Sequence, residues 1–180
     1  MTVSSLTRSI ALFFIAILIS GSLFAAVTEI TNDYQGDWTV LAGDTLIIKN
    51  GATFTGNIRN EGGGLTITEN SEVIGKIVIS DEGNLLIDQN SHISGKVSAI
   101  DASTVNIDSA SIDGKVSLVN LTSASVTDSG IGEVLRIEGS PSVTVRENTV
   151  QQDLRILRSG SIIASGNNVV LNLRVQESSF

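Results

Sequence analysis

Cysteine is absent from all 180 residues, which excludes a disulfide framework, a thiolate metal site and a lipid-modified cysteine. Aromatic residues make up only 4% of the chain and proline occurs once, so a compact enzyme core packed with large rings is excluded as well. The one histidine, His92, has no second imidazole or thiol with which to share a metal, and reads as a corner residue. Basic residues are also few, 11 against 19 acidic ones, for a net charge of −8. That balance argues against nucleic acid or an anionic membrane as the main partner. What is plentiful is glycine, with 17 copies, together with Val, Ile, Ser, Thr and Asn, the composition of repeated short strands.

The N-terminal 26 residues stand apart. Arg8 is followed by an apolar run from Ile10 to Ile19, then Ser20-Gly21-Ser22 and Leu23-Phe24-Ala25-Ala26. A basic start, a short hydrophobic centre and a small-residue exit predict a secretory signal peptide cut after Ala25 or Ala26. Left uncut, the charge-free stretch from Ser9 to Thr28 would be a signal anchor. Cleavage leaves a secreted, periplasmic or surface protein without a membrane span. The expected organisation is leader 1–26, N-terminal cap or lead-in 27–35, repeat 36–175 and C-terminal tail 176–180.

The repeat carries most of the information. Gly56-Asn57-Ile58, Gly75-Lys76-Ile77, Gly95-Lys96-Val97 and Gly114-Lys115-Val116 recur every nineteen or twenty residues. One apolar series follows from them: Trp38, Ile58, Ile77, Val97, Val116, Leu135, Leu154, Leu173. Two positions later stand Val40, Asn60, Ile79, Ala99, Leu118, Ile137, Ile156 and Val175. A spacing of two puts both series on one side of a strand, the first inward face. A second face repeats as Leu46/Ile48, Leu65/Ile67, Leu85/Ile87, Val105/Ile107, Ala124/Val126, Val143/Val145 and Ile162/Ala164. A third, shorter rank reads Phe54, Val73, Ile93, Ile112, Ile131, Val150, Val169.

Three ranks per period predict an all-β, three-sided parallel β-solenoid of about eight coils. Stacking coils ~4.8 Å apart buries each rank in a column and pairs the strand backbones. The crossover rule makes it right-handed, because a left-handed hexapeptide solenoid needs a strict period that this chain does not keep. One corner is expected to carry an Asn-rich ladder at Asn70, Asn90, Ala110, Ser129, Asn148 and Asn167. Another is filled by glycine or small residues, with Pro141 in a bend. No coil carries an insertion of more than one residue, where a solenoid would grow binding loops.

Chemistry-bearing residues are few. Asp88 and Asp108 share a corner position in neighbouring coils, with Asp128 one residue out of register. Stacked carboxylates are the acid/base arrangement of sugar cleavage, and also what a solvated Asp-rich turn looks like. Lys76, Lys96 and Lys115 form an outward column, continued by Glu133 and Asp153, and Arg136, Arg155 and Arg174 form another. Like charges at coil spacing repel, so such columns suit an anionic partner such as a polysaccharide, or keep the rod soluble. Positions Thr66, Leu86, Asn106, Ser125, Thr144 and Ile163 form no threonine array of the ice-binding kind. The glycines of Gly-Lys-Val are spread over separate coils and make no phosphate loop. Asn120-Leu121-Thr122 fits the glycosylation acceptor pattern. No cofactor or metal is expected.

The segments SEVIGKIVIS, SHISGKVSAI and SIDGKVSLVN place an apolar residue two before and two after each glycine. In this the stretch from Gly51 to Asn120 resembles the bactofilin family of right-handed β-helices, short loop-free rods that polymerise end to end. The period also resembles the β-helical shafts of secreted filamentous adhesins. Both resemblances imply a structural rod, and neither supplies catalytic residues. The last coil closes on Leu171, Leu173 and Val175 with no amphipathic helix to cover it, so a self-associating homo-oligomer or filament is expected. The alternative is a carbohydrate-binding or carbohydrate-cleaving β-helix that uses the Asp or Arg columns, with a polysaccharide or cell-surface component as partner.

Overall fold

The structure is a computed structural model and describes residues 25–177; most of the expected leader and the end of the expected tail lie outside the described residues. Those residues form three eight-stranded parallel sheets and no helix. The first face runs from Trp38–Leu41 to Leu173–Glu177, the second from Val27–Ile30 to Ser161–Ser165, and the third from Tyr34–Gln35 to Asn168–Val169. Each turn of the chain adds one strand to each sheet, which is a three-sided β-solenoid of about eight turns.

Stacking follows the alternation in the sequence. Ile77 pairs with Ile58 below it and Val97 above it, and Val97 pairs with Val116. These side chains are fully buried, as are Ile67, Ile87 and Ile107 in the second face and Val73 and Ile93 in the third. Each such side chain contributes about 1.5–3 kcal/mol of burial free energy, repeated up the rod. Asn60 is a fully buried polar member of the inward columns. It stays buried because its amide nitrogen donates to the carbonyls of Gly63 (3.0 Å) and Asn84 (2.9 Å), while its oxygen accepts from the Gly63 N–H (2.8 Å).

The corner between the second and third faces departs from the expected ladder. In the earlier coils this corner holds two successive left-handed residues, Glu69-Asn70 and Gln89-Asn90. From the fifth coil on it is one residue shorter and holds a single one, at Ser109, Asp128, Glu147 and Gly166. The buried column is therefore Ala52, Ser71, Ser91, Ala110, Ser129, Asn148, with Asn167 half-buried at its end. Asn70 and Asn90 sit one residue earlier, exposed, where Asn is favoured for its tolerance of positive φ. Asn148 and Asn167 instead point their amides into the stack, the Asn148 nitrogen donating to the Val126 carbonyl (2.7 Å) and that of Asn167 to Val145 (2.8 Å).

Glycine is required at the corner leading into the first face. A Cβ on Gly75 would overlap the carbonyl oxygen of Gly56, one on Gly95 that of Gly75, and one on Gly114 would lie 2.7 Å from that of Gly95. Backbone lies directly against backbone here, so the coils close to strand spacing only without side chains at this position.

Residues 27–35, expected as a cap or lead-in, are themselves part of the stack. Val27–Ile30 pairs with Thr45–Ile48, and Tyr34–Gln35 pairs with Phe54-Thr55. The Tyr34 ring stacks on Phe54 with centroids 5.0 Å apart, and Trp38 meets Tyr34 edge-on at 5.4 Å.

Candidate functional site

The aspartates do not form a cleft. Asp108 lies beside Thr127 and Thr127 beside Arg146 in one outward column, and the Thr127 hydroxyl donates to Asp108 Oδ1 at 2.5 Å. Asp88, whose Oδ1 is buried without a hydrogen-bond partner, precedes this pair by one coil. Asp128 is turned out of the column into an exposed left-handed corner, φ 50°. A depression of about 440 Å³ lies elsewhere, between Asp33, Tyr34, Gln35, Thr53 and Thr55 near the start of the rod. Acid/base hydrolysis needs two carboxyls facing a held substrate, and these three lie along one corner of the stack, Asp128 turned out of line with the other two. Among the described residues no group of three or more His, Asp or Glu side chains is placed to hold a metal.

The two basic columns differ sharply. Arg136, Arg155 and Arg174 are in register, as the repeat predicts. Their charges are largely met within the chain. Arg136 pairs with the buried Glu138, which also takes Arg158, and Arg155 pairs with Asp153. Arg174 donates to Gln176 Oε1 at 3.1 Å. The Asp153 carboxyl is held below its ordinary range, first by the Asn172 amide and then by Arg155. Lys76, Lys96 and Lys115, by contrast, have no carboxylate within ion-pair distance among the described residues. Pairing of Val116 with Leu135 puts Val134, not Glu133, next in their column, with Asp153 beyond it.

His92 is not a corner residue. It lies on the strand His92–Ile93 of the third face, facing Glu72 in the preceding coil, with Asp113 reached in the following one. Its Nδ1 lies 3.0 Å from Glu72 Oε1 and its Nε2 3.1 Å from Asp113 Oδ2, a clip across three coils. Burial alone would lower the imidazole pKa, but hydrogen bonds to Asp113 and Glu72, and their charges, outweigh it and raise the pKa above 6.5. In the sequence this cluster shows only as Glu72 and Asp113 about one period either side of His92, which becomes informative once the register is known.

The end of the rod is the most unusual surface. Leu173 and Val175 occupy inward positions of the last described coil yet are 62% and 45% exposed, and Leu171 in the adjoining corner is 64% exposed. Ile163 and Val170 of the same coil are exposed too. In the first coil, Ile30 and Val40 are only 7% and 1% exposed. The structure therefore brings the three residues singled out at the C-terminal end into one uncovered apolar surface rimmed by unpaired strand edges. Among the described residues no helix is long and apolar enough to cross a membrane. Comparison with known proteins finds no matching family model, no matching curated protein and no matching solved structure.

Proposed function

We propose that the chain is a non-enzymatic structural protein of the cell exterior or periplasm that assembles through the open end of its solenoid. The observation that carries this reading is the exposure of Leu173 and Val175, side chains whose counterparts in the seven preceding coils are covered by a following coil. Leaving apolar inward columns and a row of strand edges in water is unfavourable, and another β-solenoid end is the surface that matches both. The leader-like residues 1–26 support export.

The test is light scattering and negative-stain microscopy of the purified chain across a concentration series. Dimers or filaments are expected, and Leu173→Asp/Val175→Asp should abolish them without changing the β-sheet circular dichroism. A strict monomer at every concentration would overturn the proposal.

A second reading, attachment to an acidic polysaccharide, is favoured by the unpaired Lys76, Lys96 and Lys115. It predicts salt-sensitive binding to a linear polyuronate that Lys76→Gln/Lys96→Gln/Lys115→Gln removes. Reducing-sugar release that disappears in Asp88→Ala/Asp108→Ala would instead establish a hydrolase.

A further inference from the structure

We infer that the open last coil is met by the first coil of a second copy, so that copies join head to tail with their corner ladders in register. This rests on the self-association proposed above and specifies its partner surface.

Two of the three corners carry directional hydrogen-bond ladders from side chain to backbone. Between the second and third faces, from the fifth coil on, the N–H is capped by a side chain of the following coil, whereas those of Ala52, Ser71 and Ser91 bond within their own turns. The Ala110 N–H donates to Ser129 Oγ (3.1 Å), the Ser129 N–H to Asn148 Oδ1 (3.0 Å) and the Asn148 N–H to Asn167 Oδ1 (3.0 Å). The Asn167 N–H is next in line and has no acceptor among the described residues. Between the third and first faces the direction is reversed, and in the second and third coils the N–H is capped from the preceding coil. The Asn57 N–H donates to Asp37 Oδ1 (2.7 Å) and the Lys76 N–H to Asn57 Oδ1 (3.2 Å). At the far end of this column the Asn172 amide donates to Asp153 Oδ1 (2.8 Å), and its own oxygen has no donor among the described residues.

The first coil holds the missing halves. Pairing of Tyr34 with Phe54 places Asn32 at the head of the column that ends in Asn167. The Asn32 amide nitrogen donates to Thr31 Oγ1 at 3.4 Å, and its oxygen is free to accept. Pairing of Trp38 with Ile58 places Asp37 at the head of the column that ends in Asn172, and the Asp37 N–H has no acceptor among the described residues. A second copy continuing the stack thus offers the Asn32 oxygen to the Asn167 N–H and the Asp37 N–H to the Asn172 oxygen.

The inward columns agree with the ladders. Leu173 would meet the half-buried Trp38 ring and Val169 the half-buried Tyr34 ring of the added copy. Pairing two last coils about a two-fold axis would also cover apolar surface. It would run the strands antiparallel, however, and bring no first-coil partner to Asn167 or Asn172.

Because the chain has no cysteine, cross-linking reads this junction directly. Val27 heads, and Ser161 ends, one outward column of the second face, and both are exposed. Seven coil spacings of ~4.8 Å separate them within a chain, whereas the junction brings them to adjacent-strand distance, within disulfide reach. Under oxidation Val27→Cys/Ser161→Cys should give a ladder of covalent multimers, and each single variant should give none. Asn32→Leu should weaken assembly about tenfold, the effect of losing roughly one well-placed hydrogen bond, with circular dichroism unchanged. Assemblies that form without a covalent ladder in the double variant, or dimers cross-linked by Ser161→Cys alone, would overturn the head-to-tail junction and leave self-association standing. No assembly of the unaltered chain would overturn both.

Discussion

Val40 in the first coil and Val175 in the last occupy one column of the first face, yet the former is buried and the latter is not. The difference lies in what surrounds them. The first coil carries the Tyr34 and Trp38 rings, packed on one another and on Phe54 and half-buried against the core. The last coil has Val169 and Leu173 at the same two positions and stays open. One repeat therefore leaves its inward aliphatic positions covered in the first coil and exposed in the last.

Damage to the shared middle should exceed anything done at either end. Gly95→Ala puts a methyl group onto the Gly75 carbonyl, where the nearest atoms are all backbone of the preceding coil and no flexible side chain can yield. A loss of more than ~3 kcal/mol, or failure to fold, is expected from urea denaturation. The ends should then separate. Val40→Ala removes buried methyl groups and should cost about 2 kcal/mol, while Val175→Ala in the dilute chain should cost less than ~0.5 kcal/mol. Equal costs would erase the distinction between the ends.

Acid should act on the middle and the open end in opposite senses. The raised pKa of His92 means that the clip to Glu72 and Asp113 contributes fully below the ordinary value of 6.5 and is lost as pH rises through the higher folded value. His92→Gln should flatten the stability profile across that window. Asp153, whose pKa is lowered, contributes above the ordinary 3.8 and loses its contribution as pH falls through the lowered value. Hydrogen exchange should therefore show the coil around Asn172 loosening only once pH falls below 3.8. The smallest effect is expected from Lys96→Gln, which relieves repulsion from Lys76 and Lys115. A gain of a few tenths of a kcal/mol at low salt, vanishing at high salt, should appear in thermal melts.

The columns could be read from the sequence because alternation is local. Ile77, Val97 and Val116 announce themselves by period two within a strand and a near-constant period between strands. The first coil was harder to recognise, since its corner from Ile30 to Tyr34 is shorter than any later one and its inward positions hold Thr28 and Tyr34 in place of the usual aliphatics. The placement of Asn70 and Asn90 against Asn148 and Asn167 turned on a single residue lost from a corner, which moves the same residue type from an exposed left-handed turn to a buried cap. Neutralisation of Arg136 by Glu138 and the bridging by His92 depend on side-chain reach across coils, which no one-dimensional pattern contains. Leu171, Leu173 and Val175 fit the period as well as any inward residue, so their exposure is a property of the last described coil that the pattern itself does not distinguish.

Amide hydrogen exchange of Ser161–Ser165 and Leu173–Glu177, compared between dilute and concentrated protein, tests the proposed assembly through the open end most directly. Fast exchange when dilute and marked slowing when concentrated, with the middle strands unchanged, is the predicted result. Exchange in these two strands that is the same at every concentration would contradict it.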